Sequence, residues 1–296
     1  MQAALLPDRG VVKVSGEEAR SFLDRLVTSD IDSLRPGMAR FTALLTPQGK
    51  IIVDFIVTEA AAEDGGGFFL DCPKALAPEL VRRLNFYKLR AKVTVEDLSE
   101  RLGVMAAWDG TGTTDYGLCY ADPRLPALGL RVILPPETVA EAAAELGATL
   151  VDEAVYDARR IALGIPRGGH DFIYGDVYPH ETDMDQLAGV DFRKGCFVGQ
   201  EVVSRMEHRS TARSRIVPVI YADASPQPGI PVTAGGKPVG ALGSTASGRG
   251  LALLRLDRVT DAMAKGLPLQ AGGIDLTLRK PDWARFRFPG EPEAPA

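Results

Sequence analysis

Apolar positions in the first half of the chain change period repeatedly. Val11 to Val14 alternates as a short strand, with Ser15 as a helix cap and Glu18 completing a capping box. Ala19, Phe22, Leu23, Leu26 and Val27 then recur at helical spacing. Phe41 to Leu45 and Ile51 to Val57 read as strands about the turn Thr46-Pro47-Gln48-Gly49. Phe68 to Asp71 is another strand, and Gly65-Gly66-Gly67 before it is most simply a hairpin turn. Lys74 to Phe86 is helical and Ala91 to Glu96 returns to alternation. Gly103 to Trp108 and Leu128 to Leu134 are strands, and the Ala/Glu-rich Pro136 to Leu146 is helical. This mixture predicts α+β sheets with helices packed on one face.

Asp152 caps a helix expected to reach about Leu163, where Gly164 and Pro166 end it. Arg167 to Asp191 lacks periodicity, and a connection that long is more often functional than idle. Beyond Arg215, short apolar runs (Ile216 to Tyr221, Pro238 to Leu242, Leu251 to Leu254, Ile274 to Leu278) alternate with Gly/Pro/Ser turns. That texture predicts a small all-β barrel or sandwich. The tail Pro289 to Ala296 is Pro/Glu/Ala-rich, as disordered segments are.

A length of 296 residues predicts two or three domains. Apolar residues at 45% and charged residues at 25% are ordinary for a soluble globular protein. The net charge of −5 argues against a broad nucleic-acid surface, so no direct nucleic-acid partner is expected. No apolar run approaches the roughly 20 residues that span a bilayer, so no membrane partner is expected either. Met1 to Gly10 does not read as a signal peptide, which makes a cytoplasmic protein the default expectation. The three cysteines, Cys72, Cys119 and Cys196, are widely spaced, and His170, His180 and His208 form no close pair. The chain is therefore not expected to carry its own zinc or iron–sulfur ligand set. Gly164-Ile165-Pro166-Arg167-Gly168-Gly169 lacks the Lys-Ser/Thr of a phosphate-binding loop.

Candidate chemistry concentrates in Lys194-Gly195-Cys196-Phe197-Val198-Gly199-Gln200-Glu201. Lys194, the glycines and a following helix N-terminus are surroundings that lower a thiol pKa, so Cys196 is a candidate reactive thiol. A nucleophile, a redox handle and a cluster contact all remain open for it. Gln200 and Glu201 put an amide and a carboxylate at the helix start. Cys72 and Cys119 read as structural. Glu181 lies in the aperiodic stretch, where a held carboxylate can bind a ring that offers paired N–H donors, such as a pterin. Arg205, Arg209, Arg213 and Arg215 form a basic lip suited to an anionic ligand tail.

Together these segments resemble a known family. The stretch from Lys194 to Glu201 is similar to the KGC[FY]xGQE signature of the YgfZ family, folate-binding proteins related to the T-protein (aminomethyltransferase) of the glycine cleavage system. Gly10 to Ala19 with Phe22-Leu23, Leu44 to Lys50, Tyr87 to Val93, Arg160 to Pro166 and Pro179-His180-Glu181 resemble other family segments. The resemblance implies an α+β, three-domain T-protein-like ring with a ferredoxin-like domain and a C-terminal β-barrel. On this expectation residues 1–45 with 150–213 form the folate-binding domain, 46–149 the ferredoxin-like domain, 214–288 the barrel and 289–296 a disordered tail. The implied ligand is tetrahydrofolate or a derivative, held by Glu181, Lys194, Gln200, Glu201, Arg205, Tyr87 and Arg90. The implied role is support of iron–sulfur cluster assembly or repair in client enzymes such as radical-SAM tRNA-modifying enzymes. The implied partners are those client proteins or assembly factors. The alternative is a folate-dependent one-carbon (aminomethyl) transferase. The relatives' catalytic aspartate would fall near Pro78-Glu79, where this chain has no aspartate and Glu79 is the substitute base. Phe197 stands where many relatives have tyrosine.

Overall fold

A computed structural model of the chain describes residues 1–62, 65–209, 212–222 and 225–291. In chain order it begins with β1 (Gln2–Leu6), β2 (Arg9–Ser15), α1 (Ala19–Asp24), β3 (Ala39–Leu45), β4 (Ile51–Glu59), β5 (Phe68–Pro73), α2 (Ala77–Lys88) and β6 (Thr94–Asp97). There follow β7 (Gly103–Trp108), β8 (Leu118–Ala121), β9 (Leu130–Leu134), α3 (Val139–Glu145), β10 (Thr149–Leu150) and α4 (Glu153–Leu163). A long irregular stretch leads to α5 (Gln200–Arg209) and then β11 (Ser214–Ile220), β12 (Pro231–Ala234), β13 (Lys237–Ala246) and β14 (Arg249–Arg255). The last elements are α6 (Leu256–Ala264), β15 (Leu269–Ala271) and β16 (Ile274–Leu278). The chain divides into two compact units: Met1–Tyr156 with Leu187–Glu201, and Asp157–Gln186 with the residues from Val202 onward.

The first unit holds two five-stranded sheets, ordered β3-β4-β5-β2-β6 and β10-β1-β7-β9-β8. The runs that read as strands in the sequence are buried because α1 and α2 cover the first sheet. Phe22 and Leu23 of α1 and Leu80 and Leu84 of α2 pack with Val12, Leu44, Phe55 and Leu70 of the strands. Ala142 and Ala143 of α3 pack on Met105 and Val132 of the second sheet. The expected division at residues 45 and 46 is corrected. It falls inside the β3–β4 hairpin, whose strands pair from Ala39↔Thr58 to Leu45↔Ile51. No sheet coincides with 46–149, because β1 at the start of the chain pairs with β7.

The expected cap of α1 also fails. Ser15 is held in β2 by pairing with Thr94 of β6. The Glu18 carboxylate instead accepts the Lys92 N–H at 2.7 Å, and among the described residues no side chain caps α1.

A buried ion network joins the two sheets. Asp71 on β5 accepts from Arg9 Nε at 2.6 Å, from Arg131 Nη1 at 2.6 Å and from the Tyr120 hydroxyl at 3.0 Å. Arg131 also donates to Asp122 at 2.9 Å, and Arg124 completes that pair at 2.7 Å. Burial alone would raise the Asp71 carboxyl, but the Arg9 and Arg131 guanidiniums hold it below the usual carboxylate range.

In the second unit β11-β14-β13-β12-β15-β16 close into a barrel. Strands β12 and β15 are too short to stand out as apolar runs. Gly164, at φ +79°, ends α4, and Trp283 Nε1 donates to the Leu163 carbonyl there at 2.8 Å. Buried Asp171 then ties the irregular stretch to the barrel, accepting from Arg160 Nη1 and from the Ser244 N–H, both at 2.7 Å. The expected tail, Pro289 to Ala296, lies largely outside the described residues.

Candidate functional site

The loop carrying Cys196 belongs to the first unit and is stapled from both ends. Thr28 Oγ1 donates to the Gly189 carbonyl at 2.6 Å, and the Asp191 N–H donates to the Thr28 carbonyl at 2.9 Å. The Lys194 side chain is 2% exposed. Its ammonium lies among four oxygens: the Asp24 carbonyl, Asp24 Oδ1 at 3.0 Å, the Val27 carbonyl at 3.0 Å and the Ser29 carbonyl at 2.8 Å. An ammonium has three protons to donate, so this shell saturates it. Lys194 therefore holds the loop and is closed to a ligand, which corrects its expected place among the folate contacts.

The two glycines of the motif have different reasons to be there. Gly199 sits at φ +81°, and a Cβ there would lie 2.5 Å from the Thr46 carbonyl and 3.0 Å from Gly49 Cα. The backbone at 199 lies flat on the Thr46–Gly49 turn, which only glycine permits. A Cβ on Gly195 would meet nothing within 4 Å. Gly199→Ala is accordingly expected to cost about 2 kcal/mol. Gly195→Ala should change stability by less than about 0.5 kcal/mol. Chemical denaturation of the two variants checks the contrast.

Phe197 is buried and Val198 packs on the core of the first sheet, so the two residues after the cysteine anchor the loop. Between these anchors Gly195 and Cys196 are exposed. Cys196 is the exposed one of the three free thiols. Cys72 is buried in the sheet core, where burial pushes its thiol up to about 12. Cys119 is half-buried, and burial raises its thiol too. Gln200 opens α5, its N–H donating to the Phe197 carbonyl at 3.2 Å; Glu201 and Arg205 are exposed on that helix.

Tyr87 and Arg90 stand elsewhere in the first unit. They line a concavity of about 370 Å³ between α1 and the end of α2, and no residue of the 192–201 segment lines it. Glu79, the candidate transferase base, accepts from Arg82 Nε at 2.8 Å and Arg83 Nε at 2.7 Å. Those bonds hold its carboxyl below the usual range, which weakens it as a base.

Glu181 belongs to the second unit. Its Oε2 accepts the Tyr178 N–H at 2.9 Å, closing the turn Pro179–Thr182 on itself. Next to it Arg215 is buried and donates to the His180 carbonyl, to Asp183 Oδ1 at 3.0 Å and to both Asp185 oxygens at 2.8 and 2.9 Å. Burial pushes the Asp183 carboxyl well above the usual range against the pull of Arg215, and its buried Oδ2 has no hydrogen-bond partner among the described residues. The basic lip expected from the sequence is thus divided. Arg215 is committed to these carboxylates, Arg205 and Arg209 are exposed on α5, and Arg213 lines a concavity of about 510 Å³.

Sequence spacing did not reveal one cluster in that concavity. Ligand-type atoms of His180, Asp185 and Glu207 lie within 4.8 Å of one another. Arg213, Arg215, Arg285 and Arg287 line the same space, so its charge does not favour a cation. His180 Nε2 and Glu207 Oε2 are 3.0 Å apart, a contact within an ion-pair network.

Residues 8–108 match the family model described as the GCVT N-terminal domain, and residues 213–286 match CAF17, C-terminal beta-barrel domain. A protein of Pyricularia oryzae named "Iron-sulfur cluster assembly factor IBA57 homolog, mitochondrial" is 32% identical, covering 92% of this chain and 77% of the relative. Its namesake in Mycosarcoma maydis is 36% identical, covering 76% of this chain and 59% of the relative. This chain thus spans between about three fifths and three quarters of the length of these curated relatives. The crystal structure of glycine cleavage system aminomethyltransferase T from Bartonella henselae superposes with a TM-score of 0.74 at 16% identity, covering 97% of this chain and 87% of that one. The fold is that of the aminomethyltransferase with its C-terminal six-stranded barrel, as the sequence led us to expect. The cytoplasmic expectation is overturned, because the curated relatives are named as mitochondrial proteins.

Proposed function

The chain belongs to the IBA57 (CAF17) family, related to the glycine cleavage T-protein, and on that premise we propose that it is an accessory protein of iron–sulfur cluster assembly. The observation that carries this reading is the exposed Cys196 thiol on a loop anchored by Lys194, Phe197 and Gly199. A soft thiolate is the ligand type that iron–sulfur clusters take. A loop fixed by Lys194 and Gly199 presents the Cys196 sulfur at a constant position, beside an exposed Gly195. Iron–sulfur client enzymes or assembly factors are the partners, radical-SAM tRNA-modifying enzymes of the kind served by the YgfZ branch among them.

Tetrahydrofolate is the proposed ligand, with Glu181 as the carboxylate that meets the pterin N–H groups. One Glu181 oxygen is committed to the Tyr178 N–H, which fixes the direction of the other. Arg205 on α5, in the unit that holds Glu181, is the further polar contact of this reading. The aminomethyltransferase reading is less favoured, since Glu79 is tied to Arg82 and Arg83.

Titration of tetrahydrofolate against the wild type and Glu181→Gln tests the ligand assignment. Loss of a charge-assisted pair is expected to weaken binding about tenfold or more; equal affinities would place the ligand elsewhere. Deletion of the gene tests the role. Activities of iron–sulfur enzymes should fall and return with the wild-type chain, and unchanged activities would refute the proposal.

A further inference from the structure

The end of α2 displays two of the largest exposed apolar side chains in the first unit: Leu89 is 89% exposed and Phe86 72%. Leu89 takes φ 46° and ψ −104°. That is the mirror image of extended backbone, a region natural to glycine and strained for a side-chain-bearing residue. The fold therefore tolerates strain at a position where leucine contributes almost nothing to the core. Beside Leu89 lies the concavity of about 370 Å³, floored by Phe22, Leu26 and Tyr87 and rimmed by Arg25, Lys88 and Arg90. None of these three cations has an ion-pair partner among the described residues, whereas the neighbouring Arg82, Arg83 and Lys92 are paired with Glu79 and Glu17. Glu18 also faces the concavity, but its carboxylate is turned onto the Lys92 N–H. Lys88 and Arg90 at a helix C-terminus suit the helix dipole. Arg25, at the C-terminus of α1, suits that helix's dipole in the same way, so two helix ends bring their cations to one rim.

We propose that this surface docks an acidic segment of a partner protein that carries a bulky apolar side chain. The unpaired cations select carboxylates, and the hole between α1 and α2 receives the apolar side chain, with Leu89 and Phe86 closing over it. Arginine and aromatic groups around an apolar centre are the composition of interface hot spots. An anionic bilayer fits less well: it has no knob for the hole, and it repels a chain of net charge −5. The proposal does not depend on the role assigned to Cys196.

Selection of a random twelve-residue phage library on the immobilised full chain tests it. The expected peptides carry Asp and Glu around Phe, Leu or Trp. A synthetic consensus peptide should bind at least about tenfold more weakly to Leu89→Ala and to Arg90→Glu, and affinity should fall as salt rises. Leu89→Gly should raise the thermal midpoint while weakening binding, because relieved strain and lost contact reside in one side chain. Four results would overturn the proposal. The first is recovery of no peptides or of non-acidic ones. The second is binding indifferent to both Leu89→Ala and Arg90→Glu. The third is sedimentation with phosphatidylcholine–cardiolipin vesicles that these substitutions abolish, which would make the surface a lipid contact. The fourth is self-association that they abolish, which would make it a contact between copies of the chain.

Discussion

Replacing Lys194 by methionine is expected to destabilise the first unit by about 3 kcal/mol and to free the Cys196 loop. Methionine keeps most of the stem but delivers no proton to the four oxygens around Nζ. Each buried acceptor left without a donor costs about 1–3 kcal/mol, and a broken buried ion pair about 3–5 kcal/mol. The costs are not additive, and the Asp24 side chain is 17% exposed, so water recovers part of the loss and the expected effect lies at the lower end of the ion-pair range. Arginine should not rescue the variant, because a planar guanidinium does not fit a shell built around a point donor. Urea denaturation reads the stability, and limited proteolysis reads the loop. A loss below about 1 kcal/mol with unchanged cleavage between residues 187 and 199 would mean that the clamp does not hold the loop.

The second large effect is expected at Asp71. Asp71→Ala strands Arg9 and Arg131 in a buried setting and should cost about 3–5 kcal/mol. The same carboxylate should shape acid unfolding. Its folded pKa lies below the unfolded value of about 3.9. Its contribution is therefore fully present above that value and is lost as pH falls through the folded pKa. Asp71→Asn keeps the shape without the charge, so its stability should fall less steeply with acid below about pH 4 than the wild type's. Parallel acid limbs for the two proteins would mean that Asp71 is not a paired carboxylate in the folded state.

Much of the architecture was legible in the alternation of apolar positions, because strands covered by a helix layer need one buried face. The β3–β4 hairpin about Thr46–Gly49 and the barrel strands β11, β13, β14 and β16 stood out in this way, while β12 and β15 were too short to do so. What was not legible depended on distant partners. Strand β1 exists because it pairs with β7 about 100 residues away. Ser15 and Glu18 satisfied the local rule for a helix cap, yet β6 drew Ser15 into a strand and Lys92 took the Glu18 carboxylate. The same holds at the site. A candidate reactive thiol between glycines could be read from the residues themselves, and its exposure could not. The work of Lys194 could not, since its acceptors lie 165 to 170 positions away in sequence. Its proximity to Cys196 in the chain pointed to the thiol, whereas its ammonium points to Asp24, Val27 and Ser29.

The central claim is that Cys196, presented by this clamp, is the group through which the protein serves iron–sulfur assembly. Cells lacking the gene, supplied with the wild type, Cys196→Ala or Cys119→Ala at equal protein levels, test it directly. Iron–sulfur enzyme activities should recover with the wild type and with Cys119→Ala and stay low with Cys196→Ala, although the Cys196→Ala protein denatures like the wild type because its side chain is exposed. Full recovery with Cys196→Ala would contradict the account.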